Sequence, residues 1–262
     1  MMETTVEAPA PPAAPKVTSL RTVDRAFQIL STIAADDGCV TLADLSSRAG
    51  VPRPTGLRIA RALVGLGALE RTSEGYRLGP RIFELGLRAH AHSHLRELAL
   101  PIMSDLYRWT HGTVHLAVLE GSSTLIVEKI AGPRSMALGS KVGGRGPAHC
   151  TGLGKALLAN SSVETVGRIV DGGLPRHTSR TITNVPAFRT ELSRVRHVGL
   201  AQESGESTEG VACVAAPVFD ADRQVVAAVS IAGAAEDVHV EKLGPALREA
   251  AGVLTRLVSG RR

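Results

Sequence analysis

Residues Ala49 to Leu66, AGVPRPTGLRIARALVGL, constrain this chain more than any other stretch. A turn carried by Gly50, Val51 and Pro52 leads into a run with helical spacing. Pro54 falls in the first turn, where a missing N–H costs nothing. At about 100° per residue, Gly56, Ile59, Ala60, Leu63 and Leu66 share one side of this helix, and Pro54, Arg58, Arg61 and Gly65 share the other. No acidic residue stands between Asp44 and Glu70, whereas Arg48, Arg53, Arg58 and Arg61 all do. One face is suited to packing and the other to an anion, the competing reading being a merely solvated arginine face.

The flanking residues narrow the choice. Val23, Ala26, Phe27, Leu30 and Ile33 recur at helical spacing and predict a helix over 22–35, capped by Thr22 or Ser19. Thr41 heads a short helix over 42–49, with Asp44 at the third position of a capping box. After Gly67, residues 68–72 and 76–78 read as strands around the turn Ser73-Glu74-Gly75. Three helices followed by a hairpin are the outline of a winged helix-turn-helix. Arg53, Thr55, Arg58 and Arg61 are then the expected DNA contacts, because arginine reads guanine edges and binds phosphate. Arg71 and Arg77 flank the wing within reach of phosphates. A formal net charge of +5 favours a nucleic-acid partner without proving one.

The expected domains are a disordered leader over 1–18, the DNA-binding domain over 19–80, a rigid linker helix over 81–94 and a second domain over 95–262. In the last, Leu95, Leu98, Ala99, Ile102, Leu106 and Trp109 form one helical stripe, with Pro101 inside it. Strand-like runs follow at 114–118 and 124–130, around the turn Glu120-Gly121-Ser122-Ser123. Residues 132–146 read as loop with a strand near 136–138. Helices are expected over 151–160, 162–171, 185–198 and 238–258, and strands over 211–219 and 224–231. The class is α+β, with a mixed, mainly antiparallel sheet and flanking helices. Aromatic residues make up 3% of the chain, so the core must be aliphatic.

Several chemistries are excluded or weakened. Cys39, Cys150 and Cys213 are widely spaced, which gives neither a disulfide framework nor a zinc ribbon. His90, His92 and His94 alternate, and positions two apart on a helix do not face each other; no metal site is expected. The run Gly143 to Lys155 fails as a phosphate loop, since Ala156 stands where Ser or Thr would bind magnesium. No cofactor is expected. No run approaches the length of a membrane span and the leader is not a signal peptide, so the expected location is the cytoplasm with no membrane partner. A helix starting at Thr151 and Gly152 offers free N–H groups to a small carboxylate, although Thr151 also reads as a plain N-cap. Glu203 is placed over a cavity bounded by Cys213 and Ser230, and the same segment, 202–210, also reads as a plain solvent loop. A thiol-dependent enzyme or hydrolase in the second domain is the alternative, but nothing sets a base beside Cys150 or Cys213.

Taken together, Val23-Asp24-Arg25-Ala26, Gly50-Val51-Pro52-Arg53-Pro54-Thr55, Tyr76-Arg77-Leu78-Gly79-Pro80, the run Pro147 to Ala159, Gly210 to Val218 and Ala227-Ala228-Val229-Ser230 resemble the IclR family of bacterial transcriptional regulators. The resemblance extends from about Leu20 to Arg256. It implies a winged helix-turn-helix joined to a GAF-like effector domain, a homodimer or tetramer, and binding to a double-stranded DNA operator under control of a small-molecule effector, often an organic acid. It also implies an effector site at Thr151, Gly152, Glu203, Cys213 and Ser230. Pro54, Gly56 and Gly205 depart from the pattern, the first two loosening the recognition helix and the third making the pocket lip less acidic. The expected role is that of a regulator, more specifically a repressor of a metabolic operon, and not of an enzyme.

Overall fold

The computed structural model describes residues 20–36, 38–88, 92–133, 135–136 and 138–260; the leader, His90 and Ala137 lie outside them. The chain divides into two compact units, 1–89 and 90–262.

Unit 1 holds α1 (Leu20–Ala34), α2 (Leu42–Arg48), α3 (Arg53–Gly65), β1 (Leu69–Arg71), β2 (Tyr76–Leu78) and α4 (Pro80–Arg88). Its core is Ile29 and Ile33 of α1, Leu45 of α2, Ile59, Ala60 and Leu63 of α3, and Leu69 and Tyr76 of the hairpin. The first helix therefore buries only part of the expected stripe, for Val23 and Phe27 are 52% and 65% exposed. Residues 23 and 27 form one i, i+4 row and 26, 29, 30 and 33 the adjacent rows; so small a core admits only the latter. Thr41 caps α2 as expected: its Oγ1 accepts from the Asp44 N–H at 3.2 Å and its hydroxyl donates to the Asp44 carboxylate at 2.7 Å.

In α3 the side facing the core is Gly56, Ile59, Ala60 and Leu63. Leu66 leaves the expected face, 70% exposed, because the helix ends at Gly65 and Gly67 turns the chain at φ 72°. Gly56 also has a role that the sequence pattern concealed. A Cβ there would come within 3.0 Å of Ser46 Oγ, so the missing side chain lets α2 and α3 touch. The strands of the wing pair Leu69 with Leu78, Glu70 with Arg77 and Arg71 with Tyr76. Val40 adds a bridge to Tyr76, their N–H groups exchanging bonds at 2.9 Å.

Unit 2 opens with α5 (Ser93–Thr110), which begins inside the span expected for the linker helix and runs through Pro101. Met103 of α5 is fully buried, whereas Trp109, expected on the buried stripe, is 52% exposed. Then come β3 (Thr113–Glu120), β4 (Ser123–Ile130), β5 (Arg145–Pro147), α6 (Gly152–Ala159), α7 (Val163–Asp171), α8 (Val185–Val198), β6 (Ala201–Ser204), β7 (Val211–Phe219), β8 (Val225–Ala234) and α9 (Val240–Val258). The sheet runs β5-β4-β3-β8-β7-β6. Every described pairing is antiparallel, so the sheet is not mixed. The strand expected near residue 136 forms instead at 145–147, where Arg145 and Gly146 pair with Leu125 and Thr124.

Strand side chains alternate between two cores, as a period of two requires. Val114, Leu116, Val214 and Val229 face α5 and α9. Ala117, Cys213, Ala215, Ala228 and Ala232 face α6, α7 and α8. These small residues let α6 lie close on the sheet, and every residue of that helix is buried. No described helix is long and apolar enough to cross a membrane.

Candidate functional site

In unit 1 the side chains of Arg53, Arg58 and Arg61 are exposed and Thr55 is half-buried. Among the described residues no carboxylate pairs with those three arginines, whereas Arg48 is tied to Asp36 at 2.6 Å. The wing arginines differ. Arg71 is exposed, but Arg77 is engaged by Glu70 directly across the hairpin at 2.7 Å. An exposed pair of this kind is worth about 1 kcal/mol or less, so a phosphate can displace it.

In unit 2 strand register assembles a polar patch within the aliphatic face toward α6. Glu203 stands opposite Cys213, and Cys213 opposite Ala232. Ser230 stands opposite both Ala215 and His115, and His115 opposite Lys129. Directly paired residues share a face, so Glu203, Cys213, Ser230, His115 and Lys129 project to the same side of four neighbouring strands and a fifth. The segment 202–210 is thus not a solvent loop throughout. Its first part is edge strand β6, with Glu203 on the buried side. A polar residue alternating with half-buried ones in a four-residue strand carries too little hydrophobic contrast to be read from sequence.

The N-terminus of α6 lies against this face. Thr151 Oγ1 accepts from the Gly154 N–H at 3.2 Å and donates to the Pro147 carbonyl at 2.9 Å, so its hydroxyl is committed to the cap. Gly152 touches Cys213: a Cβ there would sit 2.8 Å from the sulfur. Thr151, Gly152, Glu203, Cys213 and Ser230 are therefore brought together, with the Thr151 hydroxyl and Glu203 Oε1 already bonded to backbone. Residues missed by sequence reasoning join them. His115 Nε2 meets Ser140 Oγ at 2.8 Å, and Lys129 Nζ donates to the Ser140 carbonyl at 2.6 Å. Among the described residues the hydroxyls of Thr113 and Ser230 are buried without a hydrogen bond of normal geometry, a costly state that a ligand's polar groups would relieve.

Burial opposes charge on several groups of the patch. Burial pushes the Glu203 carboxyl up to about 7, against the N–H groups of Ser207 and Glu206 that favour its charge. Glu203 Oε1 accepts from those groups at 3.2 and 2.6 Å. Burial, then the charge on Lys129, lowers His115 to about 4. Burial, then the Glu203 charge, pushes Cys213 up to about 12, and burial, then Glu203 and Glu206, does the same for Cys150. Thiols so far from ionisation are poor nucleophiles.

Lys155, the lysine of the failed phosphate loop, is fully buried. Its Nζ donates to Glu206 at 2.6 Å and to Glu191 at 3.1 Å, and Arg194 closes the network on Glu191 at 2.7 Å. The turn that carries Glu206 has Gly205 at φ 72°, a conformation open to glycine. Glu206 is the buried carboxylate of this turn. A surface cleft of about 380 Å³ between the β3–β4 turn and α7, lined by Leu119, Thr165 and Arg168, shares none of these residues.

The description "Bacterial transcriptional regulator IclR C-terminal" matches residues 88–256, and "IclR helix-turn-helix domain" matches 22–73. The chain belongs to the IclR family. It is 34% identical to the HTH-type transcriptional regulator KdgR of Escherichia coli (strain K12) over 216 residues, 81% of this chain and 82% of that protein. It is 29% identical to the transcriptional repressor IclR of the same organism, over 97% and 96% of the two chains. Among solved structures, an IclR homolog from Microbacterium hydrocarbonoxydans complexed with 4-hydroxybenzoate matches with a TM-score of 0.80 at 30% identity. That match covers 89% of this chain and 97% of the other. The protein is a DNA-binding transcriptional regulator with a helix-turn-helix and the IclR C-terminal domain, and its family is one of regulators and not of enzymes.

Proposed function

We propose that this IclR-family protein is a cytoplasmic, homo-oligomeric repressor of a metabolic operon, released or retained at its operator by a small carboxylic acid. The observation that carries the DNA half is the free cationic face of α3. Arg53, Thr55, Arg58 and Arg61 contact the operator, and Arg71 and Arg77 contact phosphates from the wing. The domains are 19–80 for DNA, a linker over 81–94 and 95–262 for effector and assembly. The exposed apolar side chains Val23 and Phe27 of α1 and Phe83 and Leu87 of α4 support association with a second copy. Replacing Arg58 and Arg61 together by Ala is expected to weaken operator binding about thirtyfold or more, at about 1 kcal/mol or more per contact. Gel-shift titration at fixed salt measures this, and unchanged affinity in the folded variant rejects the assignment.

The effector half rests on the buried face bearing Ser230, Cys213 and Glu203 beside the Thr151-Gly152 turn. The Microbacterium relative holds 4-hydroxybenzoate, an aromatic carboxylate; a ligand of that class here is held by Thr151, Gly152, Glu203, Cys213 and Ser230. Neutral Glu203 can donate to a carboxylate, and ionised Glu203 repels one. With its carboxyl raised to about 7, affinity for such an acid is expected to fall by up to about tenfold per pH unit above that value. The same shift favours the folded state most below the ordinary carboxylate value, and that contribution is lost as pH rises through about 7. Calorimetric titration with 4-hydroxybenzoate and smaller carboxylates from pH 6 to 8 is the check, with Glu203→Gln expected to flatten the profile. Binding that strengthens with pH in the parent protein sinks the donor role.

A further inference from the structure

Beside the N-terminus of α6, adjoining the polar patch just described, three metal-ligating side chains converge. One donor atom each from His149, Cys150 and His177 lies within 4.8 Å of the others. His149 and Cys150 are buried, and His177 is exposed on the segment between α7 and α8. We propose that these three residues form a site for a single zinc-type divalent cation, which would join that segment to the start of α6.

The chemistry of the donor set fits. Two imidazoles and a cysteine sulfur, which gives up its thiol proton to solvent as the metal binds, are the borderline and soft ligands that zinc takes, with a fourth position left for water or another small donor. The orientation of His149 fits as well. Its Nε2 lies 3.0 Å from the Pro175 carbonyl, which can only accept, so Nε2 carries the proton and Nδ1 keeps the lone pair. An outer bond from the second ring nitrogen to a backbone carbonyl is what metal-bound histidines typically make. Tetrahedral geometry needs donor atoms about 3.5 Å apart, so the cluster must contract. The exposed ring of His177 can move, its centroid now 5.7 Å from that of His149. Its backbone is already held, since the His177 N–H donates to Thr181 Oγ1 at 3.0 Å. Thr178 and Thr181 bond in turn to the carbonyls of Gly205 and Glu206 at 2.6 and 2.7 Å. A cation here would brace the segment that supports the turn next to Glu203.

The test uses full-length protein, reduced and stripped with a chelator, then loaded with zinc or with cobalt as a spectroscopic probe. Expected is about one equivalent of zinc per chain surviving desalting, and for cobalt a thiolate charge-transfer band with the visible bands of a tetrahedral site. His177→Ala, at an exposed position, should lower bound zinc to background and abolish the cobalt bands while the thermal midpoint of the metal-free protein stays put. Cys150→Ser should do the same, Cys39→Ser should change nothing, and His177→Cys should restore binding. If Cys150→Ser does not fold, His177→Ala and its rescue decide. No retained zinc in the parent protein, or retention undiminished in His177→Ala, overturns the site and leaves the two rings as a packing pair.

Discussion

Lys155→Met is expected to lower the free energy of unfolding by about 3–5 kcal/mol. The lysine is 1% exposed and its ammonium is shared by Glu206 and Glu191. Methionine has a similar volume, so little packing is lost; what is lost is the only cation bonded to Glu206 among the described residues. Among the described residues Glu206 Oε2 is already buried without a hydrogen-bond partner, and burial already raises its carboxyl above the ordinary range with Lys155 opposing. Without Lys155 the carboxyl should rise further, so the penalty is expected to grow as pH rises and to shrink in mild acid, where Glu206 takes up a proton. Urea unfolding at two pH values measures both effects. A second substitution, Glu206→Gln, should recover part of the loss, because an uncompensated buried charge and not the missing bond is the main cost. Equal stability of Lys155→Met and parent at pH 8 would falsify the view that this network is electrostatically closed.

Gly154→Ala is expected to destabilise by about 3 kcal/mol or more, beyond the usual range for a surface substitution. A Cβ at Gly154 would lie 2.0 Å from the Ala148 carbonyl oxygen and 2.4 Å from its Cα. Both atoms are backbone, so no side chain can step aside. Relief requires the first turn of α6 to move away from 148–150, which breaks the Thr151 cap and shifts Gly152 off Cys213. Effector response should therefore fall along with stability, whereas operator contacts in the other unit are untouched. Thermal unfolding and ligand titration of the variant test both, and a midpoint within a degree of the parent contradicts the close packing.

The two substitutions bear on what was legible in the sequence. Gly154-Lys155 fails as a nucleotide motif on local grounds, and the sequence offers no way to learn that the lysine is buried instead. Its partners lie on α8 and on the turn after β6, distant in the chain. In the sequence His149-Cys150 is an adjacent pair with no ligating geometry, and only the return of the chain after α7 brings His177 beside it. Gly56 misled in the other direction. A glycine inside a helix reads as a weakness, but here it marks the contact with Ser46.

What the sequence by itself determined is local. The turn at Gly50, the Thr41 cap, the bounds of α8 and β7, the wing and the cationic face of α3 all follow from patterns within a few residues. Such patterns act through the same backbone geometry wherever the chain goes. Tertiary structure alone decided which side of α1 is buried, that β3 lies against β8, that β6 is a strand and that Glu203 faces inward beside Cys213. Those outcomes depend on which surfaces meet across long separations, where the energy of burying one face is compared with burying another. Periodicity can offer the candidate faces; only the packed partner selects between them.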